Sequence, residues 1–117
     1  MKIPAKQSTL KLTHYGRRSG KAFEVTIWFT LIDDELWIGS LDVTRNWVKN
    51  LRGSGKALID FGDGPQPVVP EFMDSEADLE RYRAAVAAKY PVLHRIIGLF
   101  GRGKTRAQFR LRPAAAE

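Results

Sequence analysis

The stretch that decides the fold is "TLKLTHYGRRSGKAFEVTIWFTLIDDELWIGS", Thr9 to Ser40. Its first seven residues alternate. Leu10, Leu12 and His14 fall on one side and Lys11, Thr13 and Tyr15 on the other, the period of a half-buried strand. "AFEVTIWFTLI" (Ala22–Ile32) repeats the pattern, with Phe23, Val25, Ile27, Phe29 and Leu31 on one face and Glu24, Thr26, Trp28 and Thr30 opposite. Its β-branched and aromatic residues suit a pleated surface. "DDE" (Asp33–Glu35) then turns the chain into a third strand, "LWIGS". Connections this short join antiparallel neighbours, so the stretch predicts a three-stranded meander.

Past Ser40 the period becomes helical. Thr44 is the expected N-cap, and "RNWVKNL" (Arg45–Leu51) sets Trp47, Val48 and Leu51 on one side and Asn46, Lys49 and Asn50 on another. The glycines of "RGSG" (Arg52–Gly55) end that helix. "KALIDF" (Lys56–Phe61) resumes strand character, and "GDGP" turns. "QPVVPEF" (Gln66–Phe72) is a shorter strand whose two prolines place it at an edge or a bulge. Asp74 or Ser75 caps a second helix with Leu79, Tyr82, Val86 and Tyr90 as its apolar stripe. Pro91 breaks it and opens a third, "VLHRIIGLF", closed by "GRG". In "TRAQFRLR" (Thr105–Arg112), Ala107, Phe109 and Leu111 alternate with Arg106, Gln108, Arg110 and Arg112, a final strand with one cationic face. "PAAAE" reads as a frayed tail. The order β-β-β-α-β-β-α-α-β predicts an α+β fold, mainly antiparallel β: a small barrel with short helices filling its gaps. One domain over residues 1–117 is expected, with an ordered core at 8–112.

Composition narrows the chemistry. The chain has 117 residues, 44% of them hydrophobic, which is enough for one modest core that oligomerisation would enlarge. It has no cysteine, which excludes disulfides, thiolate metal sites and cysteine nucleophiles. The two histidines, His14 and His94, lie far apart without ligand-spaced partners and read as ordinary strand and helix residues, so no metal site is expected. Neither a signal peptide nor a long apolar run is visible, and the expectation is a soluble cytoplasmic protein without a membrane partner. Nineteen Lys and Arg against thirteen Asp and Glu give a formal charge of +6, which favours an anionic partner.

Two segments are suited to anions. The turn "GRRSGK" (Gly16–Lys21) can align backbone N–H groups into a concave nest, its glycines permitting positive φ and close approach. Arg17, Arg18 and Lys21 would add charge-assisted hydrogen bonds. The competing reading is a solubilising hairpin tip. "GSLDVTRNWVKN" (Gly39–Asn50) runs from a strand end into a helix start, where Ser40, Thr44 and the unpaired first N–H groups offer a second anion site. Its competing reading is an amphipathic helix facing water. Trp28 and Trp37 could wall a flat heterocycle, or serve cross-strand packing or a dimer interface. "RGSGK" (Arg52–Lys56) lacks phosphate-loop spacing and precedes a strand, so it is a helix stop. No Ser-His-Asp set and no acid pair stand out; chemistry, if any, must come from a cofactor.

The order of "GRRSGK", "FEVTIWF" and "IGSLDVTRNWVKNLR" resembles the deazaflavin-dependent nitroreductase family, within the split β-barrel superfamily of FMN- and deazaflavin-binding oxidoreductases. The matching features are the Gly16–Gly20 turn, the aromatic strand end at Trp28–Phe29, the Ser-ended strand at Ser40, and Trp47 with Asn50 and Leu51. They cover residues 9 to 62; the later helix and closing strand match less specifically. The family's basic residue shortly after the glycine turn is replaced here by Phe23, a departure that bears on how tightly the deazaflavin's acidic tail would be held. The resemblance implies a split β-barrel homodimer with a flavin or deazaflavin near the subunit interface. It nominates Arg17, Arg18, Ser19, Lys21, Ser40, Lys49 and Asn50 around the phosphate and acidic tail. Trp28 joins them as a candidate aromatic wall.

The expectation is an oxidoreductase that uses the reduced deazaflavin coenzyme, or alternatively FMN, to pass hydride to a small electron-poor organic substrate. No catalytic residue is nominated. Tyr15 and His14 stand at the right end of the first strand to be weighed as proton donors. The rivals are a basic barrel that binds single-stranded nucleic acid through the Arg-rich last strand, the basic turn and exposed aromatics, and a cofactor-binding dimer without turnover.

Overall fold

The structure is a computed structural model that describes residues 1–40, 44–91 and 107–114. Six strands and two helices occupy these residues. The strands are β1 (Thr9–Tyr15), β2 (Ala22–Ile32), β3 (Glu35–Ser40), β4 (Ala57–Asp60), β5 (Gln66–Phe72) and β6 (Ala107–Pro113); the helices are α1 (Asn46–Ser54) and α2 (Glu76–Lys89). The third helix expected at "VLHRIIGLF", with His94, its closing "GRG" and Arg106, lies outside the described residues, as do Leu41, Asp42 and Val43 and the end of the tail.

All pairings are antiparallel, and the ring closes in the order β1-β2-β3-β6-β5-β4. β2 is long because it serves two partners: Ala22–Trp28 pair with β1, and Phe29–Ile32 pair with β3. Asp33 and Asp34 form the two-residue β2–β3 turn with both φ values positive, at 53° and 63°. That geometry follows the right-handed strand twist, and aspartate tolerates it better than most residues. Arg81 of α2 pairs with Asp33.

The barrel interior holds Leu10, Leu12, Ile27, Phe29, Leu36, Ile38, Ile59, Val68, Phe109 and Leu111, and Trp47, Val48 and Leu51 of α1 join them. α1 thus packs with its apolar side against β1 and β5. It ends at Gly55, whose φ of 68° is the left-handed cap in which glycine avoids a Cβ penalty. The "RGSG" helix stop is therefore realised through Gly55.

Four local expectations need correction. The N-cap of α1 is Arg45 rather than Thr44, with no side-chain cap bond. The prolines of β5 do not put it at an edge: β5 lies between β4 and β6. Pro70 is tolerated because the β4 ladder covers only Gln66–Val68, so no amide is required there on that side. The apolar stripe of α2 is only half-covered; none of the helix's own residues is fully buried. Tyr90, just past its end, is buried and donates its hydroxyl to the carbonyls of Ser8 and Phe29. Phe23 was expected on the core face of β2 but is 42% exposed, because it pairs with His14 at the rim, beyond the packed interior. The Ser75 cap of α2 is as expected, its hydroxyl accepting from the Asp78 amide at 3.1 Å.

Candidate functional site

Strand length places the site. β1 and β2 run past the core to the Gly16–Lys21 turn, and the N-terminal turn of α1 comes up beside that overhang. Between them lies a cleft of about 760 Å³ lined by His14, Gly16, Arg17, Arg18, Ser19, Phe23, Glu24, Val25, Arg45, Asn46, Trp47 and Asn50.

The turn is fixed internally. The Gly16 amide donates to the Lys21 carbonyl at 2.9 Å, and Gly20 donates back to Gly16 at 3.0 Å. The Lys21 amide donates to Ser19 Oγ at 3.1 Å. Gly20 adopts φ +69°, which closes the loop at little steric cost. Three amides of the expected nest are therefore spent inside the turn. What it offers a ligand is the amides of Arg17, Arg18 and Ser19 and two guanidinium groups.

Arg17 ties the turn to the helix. Its Nη1 donates to Asn50 Oδ1 at 3.0 Å, and its aliphatic stem lies against Gly53, where a Cβ would come within 2.8 Å of Arg17 Cγ. Asn50 is 5% exposed, so it does not share a solvent face with Lys49 as helical spacing suggested. Its Nδ2 lies 2.9 Å from His14 Nδ1. His14 is 6% exposed, stacks on Phe23 with ring centroids 5.6 Å apart, and burial pulls its pKa below 6.5. Arg45 and Asn46 flank the helix start, whose first N–H groups lack an acidic side chain in the first turn. Among the described residues the cleft thus gathers three arginines and a helix N-terminus against one carboxylate, Glu24, which already pairs with Lys11 at 3.3 Å. Anions are favoured there.

Of the nominated residues, the structure brings Arg17, Arg18, Ser19 and Asn50 to this cleft; Lys21, Trp28, Ser40 and Lys49 are not among its lining residues. Lys21 leans over Phe23, with Nζ 5.7 Å from the ring centroid. Trp28 pairs with Thr9 at the far end of the β1–β2 ladder and packs edge-on against Tyr90. Trp37 is buried on the outer barrel face beneath Tyr82. Arg45, Asn46, Trp47, Phe23 and His14 line the cleft without having been nominated. Arg45 had a legible signal, a cation directly before the tryptophan helix. Phe23 did not, because strand alternation assigned it to the core.

The cationic face of β6 is a different kind of surface. Arg110 donates to Glu71 of β5, through Nε at 3.0 Å, and to Glu35 of β3 at 3.3 Å, and Arg112 lies 3.4 Å from Glu71. Gln108 is buried and donates to the Met73 carbonyl.

Sequence comparison finds no matching family model and no matching curated protein. Among solved structures the chain is similar to an F420-H2 dependent reductase, at 16% identity and TM-score 0.70 over 91% of this chain and 95% of that one. It is similar to a heme storage protein from Vibrio cholerae, at 16% identity and TM-score 0.71 over 93% and 83%. A pyridoxamine 5'-phosphate oxidase-like protein from Listeria innocua matches at 11% identity and TM-score 0.65 over 94% and 86%. At these identities the likeness is one of fold, a split β-barrel shared by proteins named for F420-H2, for heme and for pyridoxamine 5'-phosphate.

Proposed function

We propose that the protein binds a phosphorylated planar heterocycle, the deazaflavin coenzyme or FMN, in the cleft between the Gly16–Lys21 turn and the start of α1, and uses it to reduce a small electron-poor organic substrate. The observation that carries this reading is the convergence of Arg17, Arg18 and Arg45 with the flat side chains of Phe23, His14 and Trp47 on one cleft. Its size falls in the ~300–1,000 Å³ range of small-molecule sites. The donor set fits the group: guanidiniums and helix amides suit phosphate oxygens, and rings beside them suit a heterocycle. The structural neighbour named as an F420-H2 dependent reductase gives the reading a precedent of fold.

In this reading Arg18 and Arg45 bind the anionic tail, and Arg17 does so while bracing Asn50. Phe23 and Trp47 exclude water from the ring. Bound in reduced form, the cofactor would supply the hydride. A homodimer would cover the open side of the cleft and the half-covered face of α2.

The test is a fluorescence titration of the purified protein with FMN, FAD and the deazaflavin coenzyme, followed by turnover of nitroaromatic and quinone substrates with the reduced form. Saturable binding of FMN or the deazaflavin with turnover is expected. Stoichiometric binding without turnover would make the protein a carrier, and binding of neither would remove the cofactor from the cleft.

A further inference from the structure

We propose that Arg17, Asn50 and His14 form a one-way relay that holds His14 as the neutral tautomer protonated on Nε2, so that it presents a fixed N–H donor to an acceptor atom of the bound ligand. The inference deepens the cofactor reading, on which its ligand half rests.

The argument runs through the chemistry of each partner. A guanidinium can only donate, so the Asn50 atom 3.0 Å from Arg17 Nη1 must be the carbonyl oxygen. That leaves the amide nitrogen facing His14 Nδ1 at 2.9 Å, and an amide nitrogen can also only donate. Nδ1 must therefore accept, which puts the ring proton on Nε2. Flipping Asn50 would set donor against donor at the Arg17 end, so it is the Arg17 bond that fixes the orientation of the amide. A second proton on His14 would set donor against donor at the other end, and burial opposes it as well. Among the described residues, the other charged groups lining the cleft, Arg18 of the turn, Glu24 of β2 and the α1 N-cap Arg45, add a net positive field that also disfavours an imidazolium.

The relay is held mechanically. Arg17 rests on Gly53 and Asn50 is buried in α1, while His14 is clamped between Asn50 and Phe23. With Nδ1 engaged, Nε2–H is the ring group left for the cleft that His14 lines. The predicted occupant is a carbonyl oxygen, ring nitrogen or phosphoryl oxygen. The same tautomer makes His14 a poor metal ligand through Nε2, since a ligating imidazole carries its proton on the other nitrogen.

Nitrogen-15 NMR of histidine-labelled protein tests this without any cofactor, the His14 resonances being assigned by their loss in His14→Phe. Expected at neutral pH is the two-bond coupling pattern of an Nε2–H imidazole; an Nδ1–H pattern, or averaging between the two, overturns the relay. Asn50→Asp offers Nδ1 an acceptor in place of a donor, so His14 should gain an Nδ1 proton and titrate at higher pH; an unchanged tautomer would show that Asn50 does not set it. Adding FMN or the deazaflavin should then perturb Nε2–H and slow its exchange, and His14→Phe should weaken binding about 3- to 10-fold. Binding that leaves His14 unperturbed would sink the donor role alone. Failure of both cofactors to bind, with the Nε2–H pattern intact, would sink the cofactor reading and its ligand half while the relay stands.

Discussion

The molecule carries two arginine-rich surfaces that look alike in sequence and are opposites in space. On β6, Arg110 and Arg112 project from the outer face of the barrel and are met by Glu71 and Glu35 from the strands on either side. At the β1–β2 turn, Arg17 and Arg18 meet no carboxylate among the described residues, and the nearest helix end adds Arg45, an N-cap without a side-chain cap bond. One set of guanidiniums is spent on holding strands together; the other is left facing a cleft. The difference comes from topology. Barrel closure inserts β6 between β3 and β5 and so delivers their acids to it, whereas the turn overhangs the ring and has no such neighbours. For the single-strand nucleic-acid rival, this takes up Arg110 and Arg112 of the last strand and leaves the basic turn on which that reading also drew.

Substitutions can break this contrast. The largest effect is expected from Arg17→Ala combined with Arg18→Ala. At about 1.5–3 kcal/mol for each charge-assisted contact, affinity for FMN or the deazaflavin should fall roughly 100-fold or more, and the unpaired Asn50 carbonyl should add a stability loss of about 1 kcal/mol. Lys21→Ala, outside the cleft, should leave the fluorescence titration within about 3-fold of wild type. Arg110→Ala should do the reverse. It strips Glu71 and Glu35 of their partner and should cost about 1–2 kcal/mol in denaturant unfolding, while binding stays unchanged. Equal effects of both arginine changes on affinity would erase the distinction.

A smaller effect should follow Gly53→Ala. The new methyl meets Arg17 Cγ at 2.8 Å and displaces the side chain from Asn50, so binding should weaken about 3- to 10-fold, read in the same titration. Smallest is the pH effect. His14 binds its proton less readily folded than its ordinary value of 6.5 allows. As pH falls below 6.5 the unfolded chain takes up the proton first, so stability should decline through the window down to the lowered folded value and be flat above it. His14→Phe should remove that component when urea midpoints of the two proteins are compared across the window.

Much of the fold was readable because its signals are local. The period-two runs of β1, β2 and β3, the Asp33–Asp34 turn and the Ser75 cap each sit within a few residues. What failed was what closure decides. Pro67 and Pro70 suggested an edge, yet the ring leaves each proline needing a partner on one side only. Asn50 looked solvated by helical spacing, yet it is buried because Arg17 and His14 arrive from a different part of the chain to satisfy both ends of its amide. The candidate site was legible as two anion-suited segments. That they share a cleft, and that Trp28 and Lys49 do not line it, depends on how far β1 and β2 project beyond the core.

Ring closure has one more consequence. A sheet with open borders can recruit another copy by extending its ladder, the route that leads toward fibres. Here each described strand has a neighbour on both flanks, and only stretches such as Ala22–Trp28 of β2 and Val69–Phe72 of β5 are paired on one side alone. Ladder extension is thereby confined to those short stretches, and the rest of the ring can meet another copy only through side-chain faces, where surface substitution sets the outcome.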